Sequence, residues 1–118
     1  MADAPPIDIE PKDWAIVRDI LARIVPTHVV WAFGSRAARR AKPYSDLDLA
    51  VVGGTPLDLG LMAELASAFQ ESALPFKVDV VDYAATAESF RKIIEAQKVM
   101  VWCPPQGSKG VFRPEPES

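Results

Sequence analysis

Gly34-Ser35-Arg36-Ala37-Ala38-Arg39-Arg40-Ala41-Lys42-Pro43-Tyr44-Ser45-Asp46-Leu47-Asp48 is the stretch on which the reading of this chain turns. A phosphate-sized turn opens it, a basic segment follows, and two carboxylates one residue apart close it. Gly34 lacks a β-carbon, so a phosphate can approach its backbone, and Ser35 offers a hydroxyl and an amide at the expected start of a helix. Gly-Ser and Asp-x-Asp are each common alone. Joined by ten residues and set between apolar runs, they outline a metal-dependent nucleotide site.

The flanking segments supply the frame. Residues 29–33 are wholly apolar and end at the Gly-Ser turn, and residues 47–52 alternate Asp with Leu before running apolar. Both read as short strands. Residues 35–41, rich in Ala and Arg, read as a helix capped by Ser35, with Lys42-Pro43 ending it. Upstream, Pro11 fits a first helical turn, and Trp14, Val17, Leu21, Ile24 and Val25 fall on one face before Pro26 stops the helix. Downstream, Leu61, Met62, Leu65, Ala66 and Phe69 recur at helical spacing within 58–72. Residues 77–81 read as a third strand, a helix starting at Thr86 or Glu88 runs through Phe90, Ile93 and Ile94, and 99–102 form a short last strand.

These elements make an α+β domain, a two-layer arrangement in which a small mixed sheet is covered by helices on one face. At 118 residues the chain accommodates one such domain, assigned to 10–104. The acidic, proline-bearing residues 1–9 read as a flexible arm. Residues 105–118, with Pro114, Glu115, Pro116 and Glu117, have a disordered composition.

In a strand, residues two apart share a face, so Asp46 and Asp48 project together while Leu47 and Leu49 enter the core. Two ionised carboxylates beside a core repel unless a cation lies between them, and Mg²⁺ favours a few carboxylates plus phosphate oxygens. Asp79, in Lys-Val-Asp-Val-Val-Asp, alternates against Val78 and Val80 and can be aimed at the same pair. Three acids suit two-metal phosphoryl transfer, and Asp79 could also take the proton of the attacking hydroxyl. Asp82 has the opposite parity and reads as a strand-end or capping residue. Arg36, nearest to Ser35, is the preferred phosphate ligand, since a guanidinium holds two oxygens at once. Arg39, Arg40 and Lys42 are the other candidates.

Acids outnumber bases 16 to 13, giving a net charge of −3. A nucleic-acid template, which calls for a basic stripe, is therefore not expected. The lone Cys103 excludes a disulfide framework and reads as a small buried residue. No run approaches the ~20 apolar residues of a membrane span, and the N-terminus lacks a secretory pattern, so a cytoplasmic protein is expected. His28 reads as structural, and Trp14, Trp31 and Trp102 as core.

With these residues set out, the chain resembles the nucleotidyltransferase superfamily of DNA polymerase β, in particular its minimal single-domain branch in prokaryotes. The resemblance runs over about residues 7–103 and rests on Gly34-Ser35, Ser45-Asp46-Leu47-Asp48-Leu49 and Val78-Asp79-Val80. It implies a polymerase-β-like fold, a catalytic and metal-binding triad of Asp46, Asp48 and Asp79 holding Mg²⁺ as two ions, and a nucleotide-binding set of Gly34, Ser35, Arg36 and Ser45 with ATP as substrate. The branch commonly has Arg-Gly where this sequence reads Ala38-Arg39. Members are often antitoxins that transfer AMP to a tyrosine of a partner HEPN-domain ribonuclease toxin, and the resemblance implies that role here. A chain this short has no second domain to grip an acceptor, which fits delivery by a partner. The alternatives are an antitoxin that works by binding alone and a small-molecule nucleotidyltransferase of the aminoglycoside-modifying kind.

Overall fold

The computed structural model describes residues 5–104. The sheet is built first by apolar runs that cannot be left in water. Four strands, β1 (Val29–Phe33), β2 (Leu47–Val52), β3 (Val78–Asp82) and β4 (Val99–Trp102), lie in the order β3-β2-β1-β4. β1 pairs antiparallel with β2 and β4, whereas β2 and β3 run parallel. The parallel pair needs a crossover, supplied by helix α2 (Leu59–Gln70), which Asp58 caps by accepting the Leu61 N–H at 3.1 Å. The mixed sheet anticipated from the sequence is thus observed, with strand limits within one residue of those expected.

Alternation divides the sheet into two faces. Val30, Ala32, Leu47, Leu49, Val51 and Val101 pack on α2 and on helix α1 (Pro11–Ile24), whose Val17, Ile20, Leu21 and Ile24 are buried. Phe33 and Ala50 are buried against Ile94 of a third helix, α3 (Glu88–Gln97), with Trp31, Val81 and Tyr83 around them. The residues on this second face share parity with Asp48 and Asp79. The expectation of helices on one face is therefore corrected: α3 lies on the carboxylate face. Its apolar positions, Phe90, Ile93 and Ile94, carry no signal of which side of a sheet they cover.

A 3₁₀ turn (Tyr83–Ala85) joins β3 to α3. Asp82 caps it by accepting the Ala84 N–H, and its other oxygen accepts the Leu57 N–H at 2.7 Å, tying the entry to α2 to the end of β3. The helix is fastened to this turn by Tyr83, which donates its hydroxyl to Glu95 at 2.6 Å, and by Arg91, which donates to the carbonyls of Thr86 and Ala84. The Tyr83 bond holds the Glu95 carboxyl below its ordinary range, with Lys98 assisting.

Two other expectations are revised. Residues 35–39 form successive turns and 40–41 are irregular, where a helix over 35–41 is expected, with bonds from Ala38 N to Gly34 O and from Arg40 N to Ser35 O. Arg39 has φ 57°, a left-handed conformation that glycine adopts freely and that costs other residues about 1–2 kcal/mol. It falls where the resembled branch commonly carries Gly, and the Arg39 guanidinium donates to Pro5 O at 2.7 Å from that position. The segment expected as a loose arm is anchored from residue 5 onward: Ile7 is 1% exposed, and the Asp8 N–H donates to Arg36 O at 2.8 Å. Residues 1–4 and the tail expected at 105–118 lie outside the described residues. Cys103 is exposed, contrary to the buried position expected for it. The three tryptophans are half-buried against the core clusters, and His28 has a buried Nδ1 without a hydrogen-bond partner. Among the described residues no helix is long and apolar enough to cross a membrane.

Candidate active site

The pairing of β1 with β2 ends at Phe33 opposite Asp48, and the parallel pairing of β2 with β3 sets Asp48 opposite Asp79. Gly34 follows Phe33 directly. Its φ is +81°, and a β-carbon built there would collide with the Oδ2 of Asp48. Residues separated by fourteen positions in the chain thus meet because two short strands stop in register. Gly34 is required at this point for its backbone angle and for the space that the carboxylate takes.

Gly34→Ala is accordingly expected to displace Asp48, destabilise the protein by about 1–2 kcal/mol and cut turnover by at least about tenfold. Thermal melting and activity of the same preparation measure both effects.

Asp48 is half-buried and Asp46, just before β2, is exposed, while Leu47 and Leu49 are fully buried as alternation requires. Burial raises the Asp48 carboxyl above its ordinary value, and the charges of Asp79 and Asp46 raise it further. Lys77 lies beside this group, its Nζ 3.5 Å from Asp79 on an exposed side chain. A pair of such exposed groups contributes little. Among the described residues no three acidic, His or Cys side chains gather into a ready-made metal cage. The register nevertheless aligns hard oxygen donors at one strand end, and their mutual repulsion is what a divalent cation relieves.

Arg36 has a different place from the one expected of a phosphate ligand. It is 5% exposed, and its guanidinium donates to Ser45 O at 2.9 Å, Asp8 O at 2.8 Å and Pro43 O at 3.1 Å, while stacking 3.9 Å from the Phe76 ring centroid. Desolvation lowers its pKa, an effect opposed by Asp8, Asp13 and Asp46. The bond to Asp8 ties the 34–46 loop to the N-terminal segment, those to Ser45 and Pro43 close the loop on itself, and the stack on Phe76 anchors it to the segment before β3. Ser45 is engaged in the same loop: its Oγ accepts the Lys42 N–H at 2.9 Å. Ser35 stays half-buried beside Gly34, and Arg40 and Lys42 are exposed. Gln97, which the sequence does not mark as a site residue, accepts the Gly34 N–H on its Oε1 at 3.0 Å. No spacing rule links a residue ending a helix to a turn 63 positions earlier.

Residues 17–106 match the polymerase β nucleotidyltransferase family profile. The chain belongs to that family. Over 95 residues the nucleotidyltransferase is 48% identical to a protein of Haemophilus influenzae described as a probable protein adenylyltransferase, MntA, covering 80% of this chain and 83% of the relative. It also superposes on a chain from a crystallised toxin–antitoxin with AMP-PNP, at TM-score 0.64 and 26% identity, covering 81% of this chain and 77% of that one. A third likeness, of the fold alone, is to a chain of the tri-AMPylated Shewanella oneidensis HEPN toxin complexed with MNT antitoxin, at TM-score 0.61 and 24% identity, covering 80% and 73%. The family in general uses a divalent metal and a nucleoside triphosphate. The polymerase-β-like fold expected from the sequence is therefore the observed one.

Proposed function

We propose that this nucleotidyltransferase transfers AMP from ATP to a tyrosine hydroxyl of a partner HEPN ribonuclease toxin, with Mg²⁺, and thereby acts as an antitoxin in the cytoplasm. The observation that carries the proposal is the register Phe33–Asp48–Asp79, which brings the Gly34-Ser35 turn against two carboxylates at one strand end. The 48% identity to a probable protein adenylyltransferase and the likeness to a chain of a toxin–antitoxin crystallised with AMP-PNP support the choice of AMP and of a toxin as acceptor. Backbone and metal contacts to phosphate are blind to the base, so the choice of ATP rests on those relatives.

Asp46, Asp48 and Asp79 would hold the ions, with Asp79 giving up Lys77 to do so. Bound Mg²⁺ would supply charge neutralisation at the triphosphate and lower the pKa of the attacking hydroxyl. The chain's own part is to bind and orient. Gly34 and Ser35 present backbone amides to phosphate oxygens. Asp48, held against Gly34, fixes the reacting phosphate relative to that turn. Asp79 accepts the proton of the incoming hydroxyl. The hydroxyl oxygen bonds to the α-phosphorus, the bond from that phosphorus to the bridging oxygen breaks, and pyrophosphate leaves with the electron pair. The Arg36 clamp keeps the loop closed around these groups.

The test is incubation with the toxin, Mg²⁺ and ATP labelled at either the α- or the γ-phosphate. Label is expected on the toxin from the α position alone. Transfer from the γ position, or none, refutes the reading.

A further inference from the structure

We propose that Gln97 is an internal competitor for the phosphate of the incoming nucleotide and so sets the affinity of the site. The inference rests on the placement of the triphosphate at Gly34 and Ser35 argued above. Gly34 has one backbone donor, and in the free protein that donor is taken by the Oε1 of Gln97 at 3.0 Å. The left-handed angle of Gly34 turns its α-carbon to the Asp48 carboxylate, so the amide is the group left for an anion arriving at the turn.

The acceptor that holds it is not a chance neighbour. Gln97 is the last residue of α3, and that helix is fastened by Ile94 buried on Phe33 and Ala50, by Phe90 edge-on to Phe33 with ring centroids 5.7 Å apart, and by the Tyr83–Glu95 bond. Lys98, next in the chain, has its Nζ 4.2 Å from the centre of the Trp31 ring. These contacts deliver a neutral carbonyl oxygen to the amide. A phosphate oxygen is a stronger acceptor than a carboxamide because it is charged, so it can replace Gln97 but must first displace it. The exposed side chain of Gln97 can swing away without opening the core. An exposed hydrogen bond of this kind is worth a factor of about two to five in affinity.

Titration of the full chain with Mg²⁺ and a non-hydrolysable ATP analogue, alongside steady-state kinetics, tests this in wild type, Gln97→Ala and Gln97→Glu. Gln97→Ala is expected to bind about two- to fivefold more tightly and to lower KM by the same factor, with kcat moving less. Gln97→Glu keeps an acceptor on the amide and adds a negative charge, so it is expected to bind about three- to tenfold more weakly. A purely structural role for Gln97 moves both variants in the same direction. Unchanged or weaker binding by Gln97→Ala, with wild type binding normally, overturns the competitor role alone. Absence of nucleotide binding by wild type overturns the placement of the triphosphate and this inference together.

Discussion

Asp48→Asn is expected to lower nucleotidyl transfer by at least about a thousandfold while the protein melts at a higher temperature than wild type in the absence of divalent metal. The first effect follows, on the proposed function, from removing a charged oxygen donor that lies against the Gly34 turn and opposite Asp79 in the strand pair. The second follows from the raised pKa of Asp48, caused by burial and then by Asp79 and Asp46. A carboxyl whose folded-state pKa is raised contributes its stability when protonated, at low pH. That contribution is lost as pH rises through the folded-state value, so at neutral pH the ionised Asp48 opposes folding. Asparagine is neutral and nearly the same size. The melting advantage of the variant should therefore grow as pH is raised through the carboxylate range. Saturating Mg²⁺ and nucleotide reverse the order, since a ligand at a hundred times its Kd stabilises wild type by about 2.7 kcal/mol and the variant far less. Calorimetric melting with and without Mg²⁺ and nucleotide reads every part of this.

Arg36→Ala is expected to give the largest loss of stability of any single change in the 34–46 loop. Three carbonyls, those of Asp8, Pro43 and Ser45, lose their charged donor, and Phe76 loses the plane stacked on it. Breaking a buried network of this kind costs about 3 kcal/mol, which for a domain of this size lowers Tm by roughly 12–24 °C. Arg36→Lys should recover less than half of it, because an ammonium cannot reach three carbonyls in a fixed fork. Were Arg36 instead a phosphate ligand, Arg36→Ala would leave Tm nearly unchanged and raise KM. Melting of the two variants separates the roles without any assay of transfer.

The contrast between these two residues shows what could be read from the sequence. That Asp48 and Asp79 share one face of the sheet followed from strand parity, a period-2 rule that survives in any sheet, and the full burial of Leu47 and Leu49 shows the same alternation in β2. The strands themselves were legible because short apolar runs bounded by Gly and Pro have few other fates. The buried place of Arg36 is not legible in the sequence, because a run of basic residues says nothing of three carbonyls brought together from Asp8, Pro43 and Ser45. The same burial explains the missing helix over residues 35–41. Local Ala and Arg propensity, a few tenths of a kcal/mol per residue, was outweighed by a clamp worth several kcal/mol and by turns that leave Arg39 left-handed. Ile7, one apolar residue between prolines and acids, has no periodicity to mark it as core, yet it is buried there. The position of α3 and the reach of Gln97 to Gly34 depend on which face of the sheet the last helix crosses, and amphipathic spacing alone is silent on that choice.

The most direct test of the central claim is an anomalous diffraction measurement on crystals grown with Mn²⁺ and a non-hydrolysable ATP analogue. The account predicts anomalous density bound by Asp46 and Asp48, within reach of Asp79, with the phosphates of the analogue on the Gly34-Ser35 turn. Ordered analogue with manganese bound elsewhere, or with the triphosphate away from that turn, would contradict it.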